Sequence, residues 1–191
     1  MTPELRLMVA PAPTYALLAR QPSNAGALTA LRRPFLAAVV IGISMAIAAT
    51  RHVTPALVLD TTLAWSFVIV LQIAIALPLI AAPARRTVGL RRALDLFFAS
   101  HGAWSLWLLA AAMMPAVFAR TLMLLAVLPL VVTARAIAAF FREVLQLNSR
   151  QARARAALHQ VITWSAFVLL YGSAVALQPR IVGGLARWFG W

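Results

Sequence analysis

Four polar residues inside apolar stretches of the sequence have side chains that can do chemistry: Gln72, Asp95, His101 and Arg135. A central Asp or Arg in a membrane-spanning helix costs about 2.5–3.5 kcal/mol on insertion scales, so each is a candidate for a function. If the four side chains meet in the cytoplasmic half of a membrane, Asp95 or His101 can carry a proton while Arg135 holds a counter-ion. The four residues thus predict a proton or anion path.

A structural role for the same residues is the simpler interpretation. Arg135 can extend to the lipid phosphates, because its long aliphatic stem tolerates an apolar environment. Asp95 can pair with Arg91 or Arg92, and it also complements the positive end of a helix dipole. His101 can hydrogen-bond to a neighbouring helix. The sequence leaves both interpretations open and favours the structural one.

A second candidate site is one helical face that contains, at spacings of three and four residues, His101, Trp104, Ser105 and Leu108. The face can stack against a quinone, a carotenoid or a lipid tail, or it can pack against another helix. His101 and His159 are the two histidines expected on the cytoplasmic side, but neither lies in a haem-ligation motif. The sequence has no cysteine, no HExxH motif and no glycine-rich phosphate loop, so we expect no metal, cofactor or catalysis.

Small residues spaced four apart form a helix-packing ladder made of Ala38, Gly42, Ala46 and Thr50. Such faces let two helices in a membrane approach each other closely. Gly172 and Ala176 repeat the pattern later in the chain. The ladder can pack within the chain or against a partner, and the sequence leaves both open.

The elements that position these residues are expected to be membrane-spanning helices. The chain has 191 residues, of which 63% are hydrophobic and 11% charged, whereas about 25% charged residues is usual in soluble domains. A run of about 20 apolar residues can cross the hydrocarbon layer. Five such runs occur, at residues 34–50, 55–82, 94–118, 121–141 and 161–177.

The connections between these runs are short, which predicts an all-α, polytopic membrane helix bundle of antiparallel neighbours. Pro115 is expected to end the third run. Pro78 and Pro129 are expected to kink the second and fourth runs, since proline removes a helical hydrogen bond.

Arginine residues orient the bundle. All 17 basic side chains are arginine, and the formal net charge is +13. Twelve arginines lie in the N-terminal segment and in the second and fourth loops, against four in the other loops and the C-terminal tail. The positive-inside rule predicts a multi-pass protein of the cell inner (cytoplasmic) membrane, with its N-terminus in the cytoplasm and its C-terminus outside. Arginine clusters between apolar runs are typical of contacts with anionic lipid head groups, so we expect lipids and no nucleic acid as partners.

The predicted division places residues 1–33 in a cytoplasmic segment on the membrane surface and residues 34–191 in a five-helix transmembrane domain. In the first part, Tyr15, Leu17 and Leu18 can form an apolar face that lies in lipid, and Ser23 can cap a helix.

The same segment contains the element Pro-Thr-Tyr-x-x-Leu, which is formed by Pro13, Thr14, Tyr15 and Leu18. Together with five closely spaced spans and an outside C-terminus, this element resembles the Yip1-domain membrane proteins. The resemblance implies a five-span helical protein without catalytic residues. For the eukaryotic members of that family it also implies vesicle trafficking and binding of Rab-type GTPases.

Three functions are compatible with these features. The sequence favours a non-enzymatic scaffold or accessory subunit of a larger membrane assembly, whose partners are other membrane protein subunits. The second is a small transporter, or the membrane subunit of one, that works through the polar cluster. The third is a subunit that binds a quinone, a pigment or a lipid along the face of His101 and Trp104.

Overall fold

The chain folds into helices throughout the part that the computed structural model describes, residues 2–21 and 27–189, and that part contains no β-strand. The helices are α1 (Pro3–Val9), α2 (Pro11–Arg20), α3 (Ala27–Thr50), α4 (Pro55–Arg86), α5 (Leu90–Ala99), α6 (Gly102–Met113), α7 (Ala119–Leu125), α8 (Val127–Ala139) and α9 (Ser149–Phe189). A 3-10 turn (Ala116–Phe118) precedes α7, and a π-helical turn (Phe140–Val144) follows α8. The predicted all-α class is confirmed.

Within the described residues, two helices are long and apolar enough to cross a membrane, namely α4 and the part of α3 from Ala30 to Thr50. The pair α5 and α6 also qualifies if the two count as one span with a bend of 40°. One side of α4 presents apolar side chains outward, and each of Leu59, Leu63, Phe67 and Val70 is at least 43% exposed. Outward-facing apolar side chains on long helices suit a lipid environment, so the chain has the character of a membrane protein.

The first two long helices are joined by a tight connection. The Oγ1 atom of Thr54 accepts a hydrogen bond from the Leu57 amide at 3.3 Å and caps α4, whose first residue is Pro55. The first apolar run was predicted to begin at Pro34. Helix α3 begins earlier, at Ala27, so Pro34 lies inside it and is buried. The backbone is therefore helical across the predicted boundary between residues 33 and 34.

The third predicted span, residues 94–118, is wrong as one continuous helix. It breaks at Ser100 and His101, between α5 and α6. Its expected end is confirmed, because α6 stops at Met113 and Met114 takes the extended conformation that a following proline favours.

The fourth predicted span, residues 121–141, is also interrupted, because α7 ends at Leu125 and α8 begins at Val127. Pro129 is the third residue of α8, and the missing N–H is tolerated in a first helical turn. The helix therefore restarts just before this proline. The fifth predicted span, residues 161–177, lies within the long helix α9.

The N-terminal helices pack into the protein core. Tyr15 and Leu18 are buried, and the Tyr15 hydroxyl donates a hydrogen bond to the Leu96 carbonyl at 3.1 Å. The Tyr15 ring also meets Phe140 edge-on, with ring centres 5.8 Å apart. Burial raises the pKa of the Tyr15 phenol above its usual range, so the phenol stays protonated and keeps this bond. The expectation that Tyr15 and Leu18 face lipid is wrong, whereas Leu17 is exposed; Ser23 lies outside the described residues.

The helix-packing ladder joins α3 to α4 within the chain. Ala38, Gly42 and Ala46 are buried, and the Thr61 hydroxyl of α4 donates to the Gly42 carbonyl at 2.8 Å. Thr50, the last member, is exposed. A Cβ atom added at Gly172, in the repeated small-residue pattern, would have no atom within 4 Å. The side chain of Ala176 lies outside the described part.

Candidate ligand cavity

The predicted polar cluster does not assemble, because Asp95 has a different partner. Its carboxylate forms an ion pair with the Arg33 guanidinium of α3, and Arg33 also contacts Glu4 of α1 at 3.2 Å. The expectation that Asp95 pairs with Arg91 or Arg92 is therefore wrong. The Arg33 side chain links the N-terminal helix to α3 and α5, which is a structural role.

Arg135 lies on the outside of α8 and is exposed. Among the described residues it has no hydrogen bond and no ion pair. No ion pair joins it to Asp95, and neither residue lines the cavity described below, so the proton or anion path of the sequence interpretation lacks two of its four members. The remaining two, Gln72 and His101, do line the same cavity.

This cavity has a volume of about 440 Å³ and is lined mainly by residues of α3, α4, α6, α8 and α9, together with Phe98 of α5 and His101. Its walls are largely apolar, and the aromatic side chains that contribute to them are Trp65, Phe98, Trp104, Trp107, Trp164 and Phe167. Cavities of roughly 300–1,000 Å³ with apolar walls and a few polar groups are typical of small-molecule sites. No Asp, Glu or Arg is among the described residues that line it.

The break between α5 and α6 carries His101 into the cavity wall. Ser100 donates to the Phe97 carbonyl at 2.7 Å, and its Oγ atom lies 3.1 Å from Nδ1 of His101. The His101 ring stacks on Phe98 at 5.4 Å and is 8% exposed. All four residues of the predicted face, His101, Trp104, Ser105 and Leu108, line the cavity.

Helix α9 brings a second histidine to the same wall. The rings of His159 and His101 have centres 6.3 Å apart, and His159 is 1% exposed. Neither Nδ1 nor Nε2 of His159 has a hydrogen-bond partner. Leaving a buried polar group unpaired costs about 1–3 kcal/mol, so this imidazole is a candidate for binding a ligand.

A haem between the two imidazoles does not fit. The Phe97 ring centre lies 5.2 Å from that of His101 and 5.0 Å from that of His159. The Phe97 ring is therefore about equally distant from the two imidazoles. It occupies space that the flat macrocycle of a haem ligated by both histidines would need. Among the described residues no group of three or more His, Asp or Glu side chains is placed to hold a metal ion.

Tryptophans form one side of the cavity and its mouth. The Trp104 ring lies 5.4 Å from Trp107 and 5.1 Å from Trp164, measured between ring centres. Trp164 is 37% exposed, and its Nε1–H donates to Oε1 of Gln160 at 3.1 Å. Because Trp164 both lines the cavity and reaches the outer surface, it marks where the cavity meets its surroundings.

Four further buried polar atoms in the cavity lining lack a hydrogen-bond partner: Gln72 Oε1, Trp107 Nε1, Thr133 Oγ1 and Thr163 Oγ1. The sequence interpretation missed both threonines. A signal existed on α9, where His159 and Thr163 are four residues apart, as are Gln160 and Trp164. That spacing placed a polar and aromatic face on the helix without showing what the face meets.

Comparison with known protein families, with curated proteins and with solved structures finds no match for this chain. The resemblance to Yip1-domain proteins therefore stays a prediction.

Proposed function

We propose that this chain is a non-enzymatic, multi-pass protein of the inner membrane that binds a small lipophilic molecule in the cavity beside His101 and His159. The observation that carries the proposal is the cavity, in which aromatic walls surround several buried polar groups that have no partner in the protein. Such groups gain most from a ligand that supplies the missing hydrogen bonds.

The other two functions receive less support from the geometry. Transport through the polar cluster needs Asp95 and Arg135 near the cavity, but Asp95 is engaged by Arg33 and Arg135 faces outward. A scaffold that recruits partners through the small-residue ladder needs a free ladder, but Gly42 is already covered by Thr61 and Thr62 of α4.

The proposal includes five membrane crossings, with the N-terminus in the cytoplasm and the C-terminus outside. It is supported by the apolar helices and by the arginine distribution. A second cavity, of about 390 Å³, lies where α2, the loop after α4 and the π-helical turn meet, and we call this the arginine-rich end of the bundle. It is lined in part by Arg20, Arg86 and Glu143. We assign anionic lipid head groups to this end of the bundle.

Ligand binding is tested by purifying the protein in a mild detergent and analysing its organic extract by mass spectrometry. The Ser105→Phe variant fills the cavity, so we expect it to lose a small molecule that the wild type carries. The matched control is Leu106→Phe, since Leu106 is the next residue, is 49% exposed and is not part of the cavity lining. Equal recovery of the same molecules from both variants, or none from the wild type, contradicts the proposal.

Topology is tested by cysteine labelling, because the natural sequence has no cysteine and each introduced thiol is unique. His52 in the first loop and Thr87 in the second loop are both exposed. A membrane-impermeant maleimide added to intact spheroplasts is expected to label His52→Cys and not Thr87→Cys. The reverse pattern, or labelling of both, overturns the orientation.

A further inference from the structure

We propose that the occupant of the cavity is a quinone, held through the oxygen atoms of its ring. This inference rests on the proposed ligand-binding function and names the chemical class of the ligand. Three properties of the cavity support it: the absence of charge in the lining, the kind of unpaired polar atoms, and the flat aromatic walls.

The lining indicates a neutral ligand. No Asp, Glu or Arg is among the described residues around the cavity, and the sequence contains no lysine. Moving a carboxylate, phosphate or ammonium group into such a site without an opposite charge is strongly unfavourable. Fatty acids, phospholipid head groups and cationic compounds therefore do not suit this cavity.

The unpaired atoms indicate oxygen atoms on the ligand. The Nε1–H of Trp107 can only donate a hydrogen bond, and the hydroxyls of Thr133 and Thr163 can donate or accept. His159 offers one donor and one acceptor when neutral. A hydrocarbon such as a carotene or an acyl tail leaves all of these groups unpaired. Carbonyl oxygens accept from the donors, and Oε1 of Gln72 can accept from the hydroxyl of the reduced form.

These polar atoms come from several helices around the cavity. Gln72 lies on α4, Trp107 on α6, Thr133 on α8, and His159 with Thr163 on α9. A ligand with a polar atom at one end only can satisfy fewer of these groups. A quinone has oxygen atoms on opposite edges, so it can bind donors from different helices at the same time.

The aromatic walls suit a flat ring with an apolar tail. Trp104 packs against both Trp107 and Trp164, and indole rings stack well on planar molecules. On the exposed side of Trp164, α9 presents Val161 and Val168, which are 63% and 64% exposed. A tail that leaves the cavity past Trp164 lies along this apolar surface.

The test compares two probes with the same tail, a decyl-substituted benzoquinone and decylbenzene, on the purified protein in detergent. Quinone binding is measured by tryptophan fluorescence quenching, and decylbenzene binding by its displacement of the quinone. We expect the quinone to bind at least tenfold more tightly. The variants Thr163→Val and Thr133→Val each replace an unpaired hydroxyl of the lining by a methyl group of similar size, so each should weaken quinone binding about three- to tenfold. Neither should change the binding of decylbenzene.

The matched control is Thr62→Val. The Thr62 hydroxyl is also buried without a partner, but Thr62 does not line the cavity. This variant should bind the quinone as the wild type does. Because Thr163→Val also removes an unpaired polar atom, it should not lower the melting temperature of the ligand-free protein, whereas a purely structural role for the hydroxyl would lower it.

The outcomes separate this inference from the proposed function. If both probes bind equally and the variants change nothing, the quinone assignment is overturned and the lipophilic cavity stands. If neither probe binds to protein freed of its native ligand, the proposed function fails as well. If Thr163→Val does not fold, Thr133→Val alone decides between these outcomes.

Discussion

The close contact between Gly42 of α3 and Thr62 of α4 makes the Gly42→Ala substitution a strong test of the fold. A Cβ atom on Gly42 would lie 2.8 Å from the backbone nitrogen of Thr62 and 2.9 Å from its Cα. The Thr62 hydroxyl would be closer still. Rotation of the Thr62 side chain cannot relieve the contacts with its backbone, so the two helices must move apart.

The size of the effect follows from two opposing contributions. Overpacking of a well-filled interface costs about 1–3 kcal/mol, and here the upper part of that range applies because backbone atoms are involved. Replacing glycine by alanine inside a helix recovers about 1 kcal/mol. The net loss of unfolding free energy is about 1–2 kcal/mol, which lowers the melting temperature by roughly 2–8 °C for a chain of this size.

The measurement is thermal unfolding in one detergent, followed by circular dichroism at the helical band. Gly172→Ala is the matched control, because nothing lies within 4 Å of a Cβ atom at that position of α9. It should melt at or slightly above the wild-type temperature. If Gly42→Ala melts as high as Gly172→Ala, then α3 and α4 do not approach as described.

Three other substitutions test the N-terminal contacts and the polar residues. Tyr15→Phe removes the hydrogen bond to Leu96 and should lower the unfolding free energy by about 1 kcal/mol, as measured by denaturant titration. Burial raises the pKa of the Tyr15 phenol above its usual value near 10, so the unfolded chain loses this proton first as pH rises. Wild-type stability should therefore fall above about pH 10, by up to about 1.4 kcal/mol per pH unit, and this part of the fall should be missing in Tyr15→Phe. An identical fall in both proteins would show that the phenol is not buried. Asp95→Asn breaks the ion pair with Arg33, in which the two side chains are 23% and 21% exposed, and should lower the unfolding free energy by roughly 1–2 kcal/mol. Arg135→Gln should change it by less than about 0.5 kcal/mol, because Arg135 is exposed and unpaired among the described residues; a larger loss for Arg135→Gln than for Asp95→Asn would contradict the assignment of both side chains.

The helical class could be predicted from the sequence because apolar runs of sufficient length are a local property. The end of α6 before Pro115 is local as well, since the proline restricts the residue that precedes it. The break at Ser100 and His101 was not predictable in the same way. Neither residue forbids a helix, and the bend is held by contacts of the surrounding helices, including the packing of Met8 and Glu4 of α1 close to Gly102.

The error over Asp95 has a similar origin. Arg91 and Arg92 are its sequence neighbours at helical spacing, so a local interpretation selects them. In the structure Arg92 donates instead to the Leu18 carbonyl at the end of α2, and Arg33 reaches Asp95 across 62 residues of chain. Helical periodicity ranks nearby partners and carries no information on contacts at that separation.

Helical periodicity was enough to predict part of the cavity. One wall was visible as the face of His101 and Trp104, because its members are regularly spaced on a single helix. The part of the lining that holds His159 and Thr163 required knowing that α9 turns this face toward His101 and Trp104. A single sequence does not contain that pairing of faces.

The docking of α1 and α2 has a consequence for how the chain is made. Residues 3–20 leave the ribosome early, yet the Tyr15 hydroxyl binds a carbonyl 81 residues further along. At about 5–20 residues per second, translation takes roughly 4–16 seconds to produce that partner. Phe140, which meets the same ring, is made later still. During biogenesis the N-terminal helices therefore lack their contacts with Leu96 and Phe140 until those residues have been synthesised. Their docking is a late step in the maturation of the bundle.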